Sequence, residues 1–278
     1  MPTIQSHRVQ VDDLDLHYLE AGEGPPVLLL HGWPTHAGLW RHALPEIGRS
    51  RRAIALDLPG FGRSAKPLDA SYSFTFFERV LEGFCDALGL DRPGLAVHDL
   101  GGPVGLFWAV RHRERVRELA VLDTLVFPEL HWTVKAFVLA TRLPGVKQYL
   151  ASPGGIARAM RFGVNDKARM TDAVVALYQA PFADAAARRA LLKAGGALSP
   201  RGFDTIAAGI GDFDVPVCLL YGTKDRILPD TERTMGRLKS ALPQAQVTAL
   251  PGIGHFLQED APDEVARVLA DFFAASAG

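Results

Sequence analysis

Short apolar runs, each stopped by glycine or a polar residue, constrain this chain more than any other feature. "PPVLLLHG", "RRAIALDLPG" and "GLAVHD" occupy the first hundred residues, and "RELAVLD", "VPVCLLYG" and "QAQVTALPG" come later. Apolar runs without polar alternation read as strands covered on both faces. Between most of them lie helical patterns: about His36 to Ile47, "FTFFERVLEGFCDALGL" ending near Gly89, "GPVGLFWAVRHR", "TERTMGRLKSAL" and the final "PDEVARVLADFFAAS". Strand and helix in alternation imply a mostly parallel, three-layered sheet whose ligands sit at the carboxyl ends of the strands. At the start, "HRVQVDDLDLHYLE" alternates around Asp12-Asp13 as a hairpin does.

From Phe127 to Phe213 the rhythm changes. Strand signals vanish, and "WTVKAFVLATRL", "MTDAVVALYQA" and "ADAAARRALLKAGG" read as helices joined by Pro- and Gly-containing turns. We therefore expect a core domain of residues 1–126 and 214–278, interrupted by a helical subdomain of residues 127–213. A chain of 278 residues, 48% of them hydrophobic, can bury a core for one large domain carrying such an insertion.

Charge and targeting signals narrow the partners. Thirty basic against thirty-one acidic residues give a net charge of −1, so no global field draws nucleic acid or an anionic membrane. The first twenty residues carry charges where a signal peptide needs an apolar core, and no later stretch offers about eighteen uncharged apolar residues. The expected location is the cytoplasm, and the expected partners are a small hydrophobic substrate and water, with the chain a monomer or a homodimer. Cys85 in a helical pattern and Cys218 in a strand read as small core residues, and no disulfide framework, zinc spacing or other metal-ligand cluster is apparent. "LPGFGRS" lacks the Gly-Lys-Ser/Thr ending of a phosphate loop, and "RHRERVREL" and "RSRR" read as solvated charged faces.

The informative polar residues stand just after strands. Asp99 follows "LAVH", Asp123 ends "LAVL", Asp225 follows "LLYGTK" and His255 follows "TALPGIG". In a parallel sheet these positions share one edge, so residues distant in sequence meet there. Asp99 sits at a tight strand-to-helix corner, with Gly101 and Gly102 small enough for a strained elbow and Val97 where such elbows usually carry glycine. The plain alternative, an aspartate that merely caps a helix, requires no histidine elsewhere. His255, between glycines and a helix, completes a nucleophile, acid, histidine order along the chain.

These residues carry a resemblance. His31-Gly32-Trp33-Pro34, Asp57-Leu58-Pro59-Gly60-Phe61-Gly62-Arg63-Ser64, His98-Asp99-Leu100-Gly101-Gly102, Gly222-Thr223-Lys224-Asp225 and Gly254-His255-Phe256 with Gln258-Glu259-Asp260 make the chain similar to α/β-hydrolase-fold enzymes. The likeness is to their aspartate-nucleophile branch, which contains epoxide hydrolases and haloalkane dehalogenases. It implies a mostly parallel eight-stranded sheet with helices on both faces, an inserted helical cap and no cofactor. A carboxylate attacks saturated carbon and leaves an alkyl ester on the enzyme, which serine does not readily do. By the resemblance Asp99 is the nucleophile and His255 activates the water that hydrolyses the ester. The backbone N–H groups of Trp33 and Leu100 hold the oxyanion. Asp225 is the preferred acid for orienting His255, and Asp123 occupies the alternative position.

Two features divide the branch. Dehalogenases hold the leaving halide with side-chain N–H donors, one of them a tryptophan directly after the nucleophile, where this chain has Leu100. The second donor position is Trp33, whose indole could serve. The arginines of haloacetate dehalogenases are absent from "HDLGGPVG". Epoxide hydrolases use cap tyrosines to protonate the opening oxygen, and this cap holds Tyr149 and Tyr178, with Trp132 and His131 as further contributors. The principal expectation is hydrolysis of an epoxide to a vicinal diol, with Trp33, Tyr149, Tyr178 and Trp132 contacting substrate. The alternatives are hydrolytic carbon–halogen cleavage and a ligand-binding protein that kept the fold without fast chemistry.

Overall fold

The apolar runs become the centre of one sheet. The computed structural model describes residues 1–275, and its strands are β1 (Gln5–Val11), β2 (Leu14–Ala21), β3 (Pro26–Leu30), β4 (Arg52–Leu56), β5 (Gly94–Asp99), β6 (Leu119–Thr124), β7 (Val217–Gly222) and β8 (Gln246–Leu250). They lie side by side in the order β1-β2-β4-β3-β5-β6-β7-β8. The first two pairings are antiparallel and the rest parallel. Every residue of β6 and β7 is buried, whereas β1 and β8 at the edges expose most of theirs. Continuous apolar runs thus go to the middle of the sheet and broken ones to its rims.

Helices cover the sheet in two groups. Ala43–Ile47 packs with Pro262–Ala275, and Phe74–Ala87 packs with Gly101–Arg111. The single helix expected from about His36 to Ile47 is instead two pieces, a 3-10 turn at Ala37–Trp40 and an α-helix at Ala43–Ile47. Pro45 has no N–H to give the Arg41 carbonyl, so a continuous α-helix cannot run through that turn.

Between β6 and β7 the chain is helical, with α-helices Trp132–Ala140, Val146–Leu150, Pro153–Gly163, Asp172–Gln179, Ala185–Gly195 and Pro200–Gly209. The last of these packs on Gly101–Arg111, with Phe203 edge-on to Phe74 at 5.5 Å. Among the described residues no helix is long and apolar enough to cross a membrane. Cys85 and Cys218 are buried and unpaired. The strand order reverses between β3 and β5: the chain leaves β3 to one side for β4, then returns to the other side for β5. Such a switch point opens a crevice beyond the carboxyl ends of the two strands. The residues following β3 and the last residue of β5 meet there.

Candidate active site

Asp99 occupies that switch point in backbone geometry few side chains adopt. Its pairing to β6 shifts after His98, and its φ is 49°. A non-glycine residue keeps a left-handed conformation only where its surroundings impose it. Thr124 Oγ1 donates to the Asp99 carbonyl at 2.6 Å, and the helix Gly101–Arg111 begins two residues on. Glycine is required on both sides of this corner: a Cβ at Gly102 would collide with Thr124, and one at Gly32 would enter the Asp99 carboxyl group.

The carboxylate is held at both oxygens. The Trp33 N–H donates to Oδ1 at 2.6 Å, and the Leu100 N–H bonds the same group. The loop carrying Trp33 is itself fixed by His31. Leu58 N–H donates to His31 Nε2 at 3.1 Å, which leaves the proton on Nδ1 to reach the Gly32 carbonyl at 2.9 Å. Burial pushes His31 down to about 4, so it stays neutral. At the other oxygen, His255 Nε2 lies 3.2 Å from Asp99 Oδ2, and its Nδ1 lies 2.7 Å from Asp225 Oδ2. Asp225 is aimed by the Ile227 and Leu228 N–H groups, each 2.8 Å from its Oδ1.

Electrostatics follow from this geometry. Burial alone would lower the His255 imidazole, but the charge and hydrogen bond of Asp225, joined by those of Asp99, raise it well above its ordinary value. Burial alone would raise Asp99, but its hydrogen bond to His255 and the imidazolium charge hold it below the usual carboxylate range. The resting site is a buried ion pair with Asp99 ionised and His255 protonated.

Of the two acids considered for orienting His255, only Asp225 touches it. Asp123 accepts from the Gly222 N–H at 3.2 Å and from Thr231 Oγ1 at 3.1 Å. Burial and the charge of Asp225 raise its carboxyl well above the normal range. No metal-ligand cluster is apparent from spacing, yet the fold gathers ligand atoms of Asp123, Asp225 and His255 within 4.8 Å of one another. This group is His255, the Asp225 that bonds it and the neighbouring acid Asp123, and both ring nitrogens of His255 are engaged by carboxylates, Asp225 within the group and Asp99 outside it.

Above Asp99 lies an apolar cavity of about 230 Å³. Among the described residues, Asp99 is the only carboxylate in its lining and Thr133 the only hydroxyl, and the walls include Leu130, Phe137, Phe162 and Phe256. Thr133 Oγ1 is bonded to the Ile227 carbonyl at 3.2 Å. Trp33 also lines the cavity, stacks edge-on against Phe137 at 4.8 Å, and keeps its indole N–H buried with no hydrogen-bond partner.

The cap residues expected at the substrate stand elsewhere. Trp132 is 69% exposed and Tyr149 50%, and neither lines the cavity. Tyr178 is fully buried outside it, its hydroxyl donating to Glu259, which also pairs with Arg41. His131 caps the helix Trp132–Ala140 through Thr133. The cavity walls come instead from Leu130, Phe137 and Phe162, apolar residues that the sequence could not single out from a helical packing face.

The sequence motifs include Asp260 and His98 but give no role to either, and the structure shows Asp260 tying the cap to the histidine loop. Asp260 accepts from Gly254 N–H at 2.7 Å and from the cap N–H groups of Asn165 and Asp166 at 2.7 and 2.8 Å. His98 Nε2 lies 2.9 Å from the His255 carbonyl, and burial pushes His98 down to about 4. The adjacent acids in "HFLQED" were the available signal, because two carboxylates so close together need separate partners when buried.

Comparison with known proteins places this geometry. Residues 25–262 match the α/β hydrolase fold family model. The chain is 33% identical to Haloalkane dehalogenase 2 of Mycobacterium tuberculosis over 93% of its own length and 91% of that protein. It is 29% identical to a cis-3-alkyl-4-alkyloxetan-2-one decarboxylase of Shewanella oneidensis, covering 92% of this chain and 84% of that one. Among solved structures it resembles the DbeA-M1 loop variant of a Bradyrhizobium elkanii haloalkane dehalogenase, with a TM-score of 0.87, 25% identity and coverage of 98% and 97%. With the family matched across most of its length and the triad assembled at the switch point, the chain belongs to the α/β-hydrolase superfamily, as a hydrolase of its haloalkane dehalogenase-like branch.

Proposed function

We propose that this hydrolase cleaves carbon–halogen bonds of small apolar haloalkanes. The observation that carries the reading is the cavity itself: an ionised carboxylate facing apolar walls, with no acidic hydroxyl in its lining and, of the lining residues described, one indole N–H, that of Trp33, without a partner. Opening an epoxide leaves an alkoxide that needs a proton. Tyr149 and Tyr178 stand outside the cavity and cannot give one there, which weakens the diol-forming reading. A halide leaves as a stable anion and needs only a donor such as Trp33. The relatives named as dehalogenases support the same choice.

The chemistry then runs in two steps. Asp99 Oδ2 attacks the carbon in line, the carbon–halogen bond breaks with both electrons on the halide, and an alkyl ester forms on Asp99. Forming the ester removes the Asp99 charge and its hydrogen bond, two of the causes that hold the proton on His255. His255 therefore gives its proton up to solvent, which is the proton of the net reaction, and as a neutral imidazole takes a proton from the attacking water, which restores the resting imidazolium. That water adds to the ester carbon while the Trp33 and Leu100 N–H groups hold the oxyanion. Collapse releases the alcohol and restores Asp99. The net change is haloalkane plus water to alcohol, halide and a proton.

Halide release from a panel of bromo- and chloroalkanes tests this directly, with Asp99→Ala alongside. We expect release from the wild type and background from the variant, a loss of about 10⁴-fold or more. Diol from epoxides without halide release would reverse the choice, and neither product would leave binding without catalysis.

A further inference from the structure

On the outer side of the cap a second depression of about 1030 Å³ shares a wall with the cavity over Asp99. Gly196 lines both spaces. At two further points neighbouring residues face opposite ways: Leu150 lines the cavity and Ala151 the depression, Val138 the cavity and Thr141 the depression. The wall is made of helix ends, since Trp132–Ala140 stops at Thr141, Val146–Leu150 at Ala151 and Ala185–Gly195 at Gly196. At Gly196, the residue common to both linings, the wall carries no side chain of its own. A Cβ there would come 2.9 Å from the Thr141 hydroxyl.

The depression is charged on one side only. Arg142, Lys147, Arg188, Arg189 and Lys193 line it and, among the described residues, no carboxylate does, in a chain of net charge −1. Arg188 bonds the carbonyls of Phe182 and Ala183, and Lys193 that of Leu68, which orients their charges without neutralising them. Asp184, which does not line the depression, lies close enough to Arg188 for that cation to help lower its carboxyl. Arg142, Lys147 and Arg189 have no carboxylate partner among the described residues. Clustered cations on a concave low-dielectric surface focus a field that attracts anions. The cavity beyond the wall does the opposite, because its single charge is the Asp99 carboxylate and the rest of its lining is nearly all apolar.

We propose that the depression receives the carboxylate head of a substrate whose haloalkyl chain passes the wall at Gly196 and presents its terminal carbon–halogen bond to Asp99. The inference rests on the dehalogenase reading and names the substrate class within it: ω-halocarboxylates, hydrolysed to ω-hydroxycarboxylates, halide and a proton. An anionic head and an apolar reacting end match two adjoining spaces of opposite character, and a neutral haloalkane uses only one of them.

The test compares 6-bromohexanoate, 8-bromooctanoate and 10-bromodecanoate with the neutral bromoalkanes of equal length. At low salt the best carboxylate should exceed its neutral partner in kcat/KM by about tenfold, and about 0.5 M salt should erase the preference. The double variant R142E/R189E should reduce the preference about tenfold, while Arg267→Glu, a reversal on the distant C-terminal helix, should leave it intact. Release from neutral bromoalkanes with no carboxylate preference, or with one that R142E/R189E does not change, overturns the head-group site and leaves dehalogenation standing. If no substrate releases halide, the dehalogenase reading fails, and calorimetric titration of octanoate decides the site separately. Binding weakened about tenfold in R142E/R189E then supports it, and equal or absent binding overturns it.

Discussion

Below the cavity, Asp99, His255 and Asp225 are fixed by short hydrogen bonds to backbone groups and to one another, and the side chains of His255 and Asp225 have no exposure at all. Above it, the segment between β6 and β7 carries seven of the ten large apolar residues exposed among the described residues, including Trp132, Leu139 and Phe162. Polar links at separate points join it to the rest. Asp260 binds Asn165 and Asp166, Glu259 binds Tyr178, and His36 Nε2 donates to the Leu177 carbonyl at 3.0 Å. The contrast separates two tasks. Charge that must be stabilised during reaction requires groups placed in advance, which sheet ends supply. A roof that must admit and release molecules requires fewer and more breakable attachments.

The largest effect should come from the floor. With His255→Gln, alkylation of Asp99 proceeds and hydrolysis stops, so one halide per protein is released and intact-mass spectrometry shows the added alkyl group. Turnover should fall about 10⁴-fold or more. Continued turnover would mean that another base serves the second step and that the floor depends less on His255 than its geometry indicates.

Next, the two buried acids should behave differently. Asp225→Asn removes the charge that orients and supports His255, and should lower turnover about 10³-fold. Asp123→Asn should cost about tenfold or less. Its stability change carries a sign that can be checked. The Asp123 carboxyl keeps its proton in the fold and loses it near 3.8 when unfolded, so wild-type stability falls as pH rises above that value. Asparagine does not titrate, and the melting temperature of Asp123→Asn relative to wild type should rise from about pH 4 to about pH 8. A larger catalytic loss in Asp123→Asn than in Asp225→Asn would exchange the roles of the two acids.

Trp33 belongs to both regions, its N–H to the floor and its indole to the cavity wall. Trp33→Phe keeps the backbone donor and removes the indole donor, and should lower halide release about 10- to 100-fold with the rate of ester hydrolysis little changed. Single-turnover kinetics separates the two steps.

The smallest catalytic effect should come from the roof. Tyr178→Phe removes a hydroxyl bound to Glu259 and should change kcat by about twofold or less, whereas Glu259→Gln disturbs a buried pair with Arg41 and should destabilise the fold by about 3 kcal/mol in chemical denaturation. A large loss of kcat in Tyr178→Phe would restore this tyrosine as a proton donor and revive the epoxide reading.

By itself, the sequence determined what a local pattern can encode. The apolar runs marked the strands, the glycines around Asp99 marked the corner, and the positions after strands placed Asp99, Asp225 and His255 on one sheet edge. Parallel strands leave few alternatives for residues at their carboxyl ends, which is why so much of the floor was legible. Only the tertiary structure shows which of Asp225 and Asp123 hydrogen-bonds His255, because both follow strands and a turn of backbone N–H groups at Ile227 and Leu228 aims Asp225 at it. It also decided the roof. A tyrosine in an amphipathic helix reads the same whether it faces a cavity, a buried glutamate or solvent, and the rotation of each cap helix depends on contacts with distant segments such as the acids after His255.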